Sequence, residues 1–215
     1  MKNWWYYYKY YVICGIFLIG IACRLIGNAL GLWEKSPDIQ IAYIGKTELP
    51  KDTITALEKS FSSIISDFNG DGKVLVKVHS YLNDMESPDP ETAYYEYGSE
   101  ITLIGDITDC ESYLFLMEDP ESFQKKYQIL ASFDGSCPKE FDDSIEDKVI
   151  AWKDCPILSN MELGSYSITT LGETFSGENQ ELLSNLFLGR RCFYTKNTSE
   201  NLEQCNQLWD SLGGE

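Results

Sequence analysis

The sequence predicts an α/β domain on a single N-terminal transmembrane helix, with a parallel or mixed sheet flanked by helices. Three observations predict it: an apolar opening stretch without acids, alternating strand-type and helix-type periodicity beyond it, and a charge divided between the two regions. The 215 residues hold 17 Lys+Arg against 34 Asp+Glu, a net charge of −17. Residues 1–33 contain Lys2, Lys9 and Arg24 and no acid, so the first region carries +3 and the rest −20. Phosphate backbones repel a body this acidic, so no nucleic acid is expected as a partner. With 43% hydrophobic residues the chain can bury a core, which excludes a disordered chain and a small disulfide-stapled scaffold.

From Tyr10 to Cys23 no residue is charged. That run is shorter than the ~20 residues a spanning helix needs. Extended from Tyr7 or Tyr8 to Leu32 it is long enough, with Lys9 and Arg24 snorkelling to the two surfaces. Trp4, Trp5, Tyr6, Tyr7 and Tyr8 suit one headgroup layer and Trp33 the other. The expectation is a non-cleaved signal anchor: 1–33 as cytoplasmic stub and transmembrane helix, 34–37 as linker, and 38–215 as an acidic extracytoplasmic α/β domain. Lys2 and Lys9 before the apolar run put the N-terminus in the cytoplasm by the positive-inside rule. The alternatives are a cleaved signal, suggested by Gly20-Ile21-Ala22, a lipoprotein signal ending at Cys23, and a buried core helix. Apolar character resuming at Leu25 argues against cleavage, and Arg24 directly after Cys23 against the lipoprotein.

In the body, Asp38 to Gly45 reads as an apolar-rich strand. Lys51 to Phe68 reads as a helix, with Ile54, Leu57, Phe61, Ile64, Ile65 and Phe68 at 3–4 spacing, stopped by Asn69-Gly70-Asp71-Gly72. Val74, Val76 and Val78 alternate as in a strand, and Pro88 to Gly98 opens a helix running to about Leu103. Ser112 to Glu118 is a continuous apolar run, as in a strand covered on both faces. Asp119-Pro120-Glu121 then caps a helix to Tyr127, with proline at its first position. Phe133 to Asp147 reads as a surface excursion. Lys148 to Trp152, Tyr166 to Leu171 and Arg191 to Tyr194 read as strands, and Asn179 to Leu188 and Ser199 to Leu212 as helices.

DIQIAYIG, the helix ending in DFNGDGKVLVKV, and SYLFLMEDPESFQKKYQILASFDG together resemble the first lobe of bacterial extracytoplasmic solute-binding proteins, over about residues 38–158. The resemblance implies a tethered, reduced relative of that family, of the kind found on the surface of some Gram-positive bacteria. Members usually run to 300 residues or more in two lobes. The 182 residues beyond the anchor suffice for one lobe and part of a second, so no ligand-binding residues carry over.

Candidate sites are few. Asp67, Asn69 and Asp71 match positions 1, 3 and 5 of a calcium loop, with Gly72 at 6. Position 12 is Val78, which cannot ligate, so a weak calcium site competes with a helix-stopping turn of the same residue types. His79 is the single histidine and reads as an edge-strand residue. The five body cysteines, Cys110, Cys137, Cys155, Cys192 and Cys205, cannot all pair; Cys192 with Cys205 is one plausible bridge. Glu118/Asp119 and Glu140/Asp142/Asp143 offer paired carboxylates but read as solvated surface. Gly45-Lys46-Thr47 lacks the upstream glycine of a phosphate loop. Arg190-Arg191 is a lone basic pair, suited to an anion or a salt bridge. Asn197-Thr198-Ser199 fits a glycosylation acceptor formally.

No catalytic constellation and no cofactor emerge, so the expectation is a non-enzymatic, membrane-tethered domain of solute-binding type that binds a ligand or partner. The alternative is an accessory subunit docked on another membrane protein, without a small-molecule ligand. Ligand binding predicts an apolar pocket at the carboxyl ends of the strands; docking predicts an exposed apolar patch.

Overall fold

The computed structural model describes residues 2–29, 36–83, 90–170, 172–193 and 201–213. They fall into two compact units, 1–36 and 37–215. The first is one helix, α1 (Lys2–Ala29). Its segment Tyr6–Ile26 has a mean hydropathy of 1.8 over 21 residues, none of them buried. At 1.5 Å per residue that is about 31 Å, matching the hydrocarbon thickness of a bilayer. One N-terminal helix is therefore long and apolar enough to cross a membrane. Lys9 lies over the rings of Tyr6 and Tyr10, at 5.3 and 5.1 Å, which keeps its stem along the helix surface. Trp33 and the 34–35 part of the linker lie outside the described residues.

The second unit contains β1 (Ile39–Gly45), α2 (Lys51–Ile64), β2 (Val76–Leu82), α3 (Pro90–Asp109), β3 (Leu114–Met117), α4 (Pro120–Tyr127) and β4 (Val149–Ala151). Then follow α5 (Pro156–Ser159), β5 (Ser165–Thr170), β6 (Glu173–Glu178), α6 (Asn179–Leu183), β7 (Phe187–Arg190) and α7 (Leu202–Ser211). Five strands form a mixed sheet in the order β2-β1-β3-β7-β4. β1 runs parallel to β2 and β3, and β7 antiparallel to β3 and β4. β5 and β6 form a separate hairpin.

Alternation along the central strands makes two cores. Ile39, Ile41 and Tyr43 of β1, with Leu114 and Leu116 of β3, pack with Leu57 and Phe61 of α2 and Trp209 of α7. Ala42, Ile44, Phe115 and Met117 point the other way, to Leu103 of α3 and Phe123 of α4. Both faces of β1 and β3 are thus covered, which is why they read as unbroken apolar runs. α4 begins as its sequence indicates: the Asp119 carboxylate accepts from the Ser122 amide at 3.0 Å, and Pro120 takes the first turn.

Several boundaries differ from the sequence expectation. α2 stops at Ile64, not Phe68, and Ile65 is extended. The buried Asp38 carboxylate accepts the amides of Phe68 at 2.7 Å, Asn69 at 3.0 Å and Leu75 at 2.7 Å, and this anchors the chain outside the helix. Asp38→Asn leaves one acceptor oxygen and turns an NH2 toward a backbone donor. Urea unfolding of the full chain in detergent should show a loss of about 2 kcal/mol; an unchanged midpoint would remove Asp38 from this role.

α3 runs through Gly98 to Asp109, past the expected end near Leu103, because its inner face carries Leu103 and the buried Asp106. Cys110, with φ 60°, then turns the chain. The helix expected from Asn179 to Leu188 is α6 alone, and the strand expected at Arg191–Tyr194 lies earlier, as β7. Phe187 to Arg190 pair with Met117 to Leu114, so a central slot in the sheet overrides helical spacing. β6 gave no signal because its residues, ETFSGE, alternate over no buried face.

Candidate functional site

The cleft between the 133–137 loop, the end of β7 and α7 has a volume of about 680 Å³. Phe133, Phe193 and Leu202 supply apolar wall; Asp134, Asn206 and Asp210 supply polar groups. Its cations are Arg190 and Arg191, each only 4% exposed. As neighbours at the end of β7, their side chains diverge to opposite faces of the sheet.

Arg191 is a packing cation. Its guanidinium donates to the Ser112 carbonyl at 2.9 Å and to the Ile107 carbonyl, and lies 4.0 Å from Asp106. Burial pulls its pKa below the ordinary arginine value, and Cys110 and the facing Asp106 oppose that pull. Asp106 is a hub: it also accepts from the Ser112 amide at 2.9 Å, the Ser112 hydroxyl at 2.6 Å and the Tyr81 hydroxyl at 2.8 Å.

Arg190 is held differently. It donates to the carbonyls of Ser132 at 3.2 Å and Phe133 at 2.7 Å, reaches Asn206 Oδ1 at 3.5 Å, and lies 5.3 Å over the Trp209 ring. Among the described residues no carboxylate is within ion-pair distance of it; its Nε, like that of Arg191, is buried without an acceptor. The loop fits around this cation. Gly135 has φ +83°, and a Cβ there would stand 2.8 Å from Arg190 Nη2. Asn206 also accepts from the Tyr113 hydroxyl at 2.6 Å. Burial pushes that hydroxyl's pKa up to about 12, against the lowering effect of Arg190. Asp134, on the rim, is held below the usual carboxylate range, first by the Ser136 hydroxyl. The arrangement can take an anionic group; its lining offers no nucleophile–base pair among the described residues.

A disulfide closes the wall. Cys137 is bonded to Cys192, with 5.6 Å between their Cα atoms. The pairing of Cys192 with Cys205 suggested by spacing is thereby overturned: Cys205 is a buried thiol on α7, its pKa raised to about 12 by that burial. The Phe133–Asp147 excursion is tied down further. Gln124 donates to the Asp142 carbonyl at 2.8 Å, and the fully buried Lys148 meets the Asp142 carboxylate at 2.7 Å. That ammonium holds the Asp142 pKa down to about 2.

The other candidates are occupied locally. Asp67 accepts from the amides of Gly70, Asp71 and Gly72 at 2.7–3.2 Å. Asn69 accepts from the Asp71 amide and Asp71 from the Lys73 amide, each at 2.9 Å. These three side chains therefore shape their own turn, and no metal-ligating group of three or more residues occurs among the described residues. Glu118 accepts from the Tyr43 hydroxyl at 2.6 Å and the Lys46 amide at 3.1 Å. His79 is exposed on β2, its ring stacked on Tyr81. Asn197, Thr198 and Ser199 lie outside the described residues.

The cleft sits at the amino-terminal edge of the parallel strands, since Arg190 pairs with Leu114 at the start of β3. At the carboxyl ends, where a ligand pocket was expected, Tyr43, Thr47, Pro50 and Glu118 surround about 110 Å³, below the ~300 Å³ of ordinary ligand sites. A second hollow of about 350 Å³ opens beside the end of β2, lined by Leu82, Asn83, Tyr97, Glu100 and Lys126, with Lys126 paired to Glu100 at 2.8 Å. The Arg190-Arg191 pair was visible in the sequence; Phe133, Asn206 and Trp209 were not, because each is remote in the chain and apolar or neutral.

No protein-family model, curated protein or solved structure matches this chain.

Proposed function

We propose that the chain is a non-enzymatic, membrane-tethered binding domain of solute-binding type, whose arginine-lined cleft receives the anionic group of a small ligand. In this reading it is a reduced relative of extracytoplasmic solute-binding proteins. α1 anchors it with the N-terminus in the cytoplasm and the acidic body outside. The observation that carries the reading is Arg190: a buried cation with no carboxylate within ion-pair distance among the described residues, the rim carboxylate of Asp134 acting on it from further off, beside a cleft of about 680 Å³. A body of charge −20 has no shortage of acids to pair it with. Lys2 and Lys9 ahead of the span support the orientation, and the Cys137–Cys192 bridge suits an oxidising compartment.

The test is thermal melting of the full chain in detergent against acetate, glutamate, inorganic phosphate and short peptides. At least one anion should raise the midpoint saturably, and Arg190→Gln should abolish that rise. No rise across the panel, or an equal rise in the variant, overturns the reading. A second reading, an accessory subunit docked on another membrane protein, is favoured by the exposed apolar face of α3.

A further inference from the structure

Leu202, Asn206 and Asp210 stand four residues apart on α7 and all line the arginine cleft, so one stripe of that helix forms a wall of it. The stripe is apolar at one end and acidic at the other. Arg190 faces its middle, with Nη1 3.5 Å from Asn206 Oδ1. Asp210 lies one turn further on and is exposed, and among the described residues nothing donates to its carboxylate.

Arg190 has donors to spare. Its Nη2 serves the carbonyls of Ser132 and Phe133, Nη1 makes the long contact to Asn206, and Nε has no acceptor. Arg191 already faces Asp106 at 4.0 Å and adds little free charge. The lining therefore sets one uncompensated cation against two acids, Asp134 on the rim and Asp210 on α7. A simple anion is drawn by one guanidinium and repelled by two carboxylates, and a dianion is repelled twice as strongly. A ligand that carries an ammonium beside its carboxylate meets complementary charge at both places.

The spacing suits such a ligand. Asn206 and Asp210, as i and i+4 neighbours, have Cβ atoms about 5–6 Å apart. A carboxylate and an ammonium borne on one carbon span that gap once a hydrogen bond is added at each end. Phe133, Phe193 and Leu202 leave an apolar wall for whatever else that carbon carries. We propose that the cleft binds the zwitterion of an amino acid with an apolar side chain, its carboxylate on Arg190, its ammonium on Asp210 and its side chain against Leu202 and the two phenylalanines. The proposal rests on the reading of Arg190 as an anion site and adds to it a second charge and an apolar contact.

Titration calorimetry of the full chain in detergent at pH 7 tests it with four probes. Leucine is compared with N-acetyl-leucine, which keeps only the anion, with leucinamide, which keeps only the cation, and with glycine, which lacks the side chain. Leucine should bind saturably, the two singly charged probes at least fivefold more weakly, and glycine at least tenfold more weakly. Asp210→Asn alters an exposed side chain that holds nothing in the body, so the variant should fold. In it the advantage of leucine over N-acetyl-leucine should fall below about twofold. Absence of saturable leucine binding overturns the proposal, as does equal affinity for any of the other three probes. A leucine advantage that survives Asp210→Asn overturns it too. N-acetyl-leucine binding as tightly as leucine, and lost in Arg190→Gln, would overturn the zwitterion and leave the anion site standing; no binding of any probe or of any anion would overturn both.

Discussion

Asp106→Ala is expected to destabilise the body by about 4 kcal/mol, because it strands a buried cation. Arg191 would keep the carbonyls of Ser112 and Ile107 and the rings of Phe115 and Phe193, none of them charged, while the Tyr81 and Ser112 hydroxyls and the Ser112 amide would lose their shared acceptor. In a domain of this size such a loss lowers the melting midpoint by roughly 10 °C. Circular dichroism of the full chain in detergent reads it directly. The double variant Asp106→Leu/Arg191→Met should recover much of the loss, since removing both charges leaves none buried alone. A single variant within 1 kcal/mol of wild type would mean that Asp106 does not compensate Arg191.

Reducing Cys137–Cys192 is the second large effect. The bridge closes a separation of 55 residues, and loop entropy assigns that constraint about 4 kcal/mol. Reductant should therefore lower the melting midpoint, and Cys137→Ser should reproduce the shift without reductant. The bridge also fixes the 133–137 loop whose carbonyls hold Arg190, so the anion-dependent rise in melting should weaken in the same samples. Alkylation with mass spectrometry supplies the control. In the folded protein Cys205 should resist modification, its burial having raised its pKa to about 12. A midpoint indifferent to reductant would overturn the assigned stabilisation.

What the sequence made legible was local. β1 and β3 were readable because they are covered on both faces, and α4 because Asp119 and Pro120 mark its start chemically. The end of α2 was not, because the stopping agent is Asp38, which precedes the helix by more than a dozen residues. The true partner of Cys192 was hidden for a similar reason. Cys137 meets it only after β7 has entered the sheet between β3 and β4, whereas Cys205 merely stands nearer in the chain. The cleft shows the same limit. A pair of arginines is visible in one dimension, but the loop, ring and amide that hold Arg190 come from 132–133, 206 and 209. For α3 the converse applies: its apolar residues at helical spacing announce a helix without saying which face the body leaves uncovered.

The bridge also turns residues 137–192 into a closed covalent ring. β4, α5, the β5–β6 hairpin, α6 and β7 all lie on it, while the parallel strands β1, β2 and β3 lie on the open chain before it. A backbone cut in the hairpin turn around Gly172 would therefore release nothing: both ends stay joined through sulfur until the bond is reduced. Two of the five sheet strands, β4 and β7, are thus held by a covalent ring as well as by packing, where β1, β2 and β3 are held by packing alone.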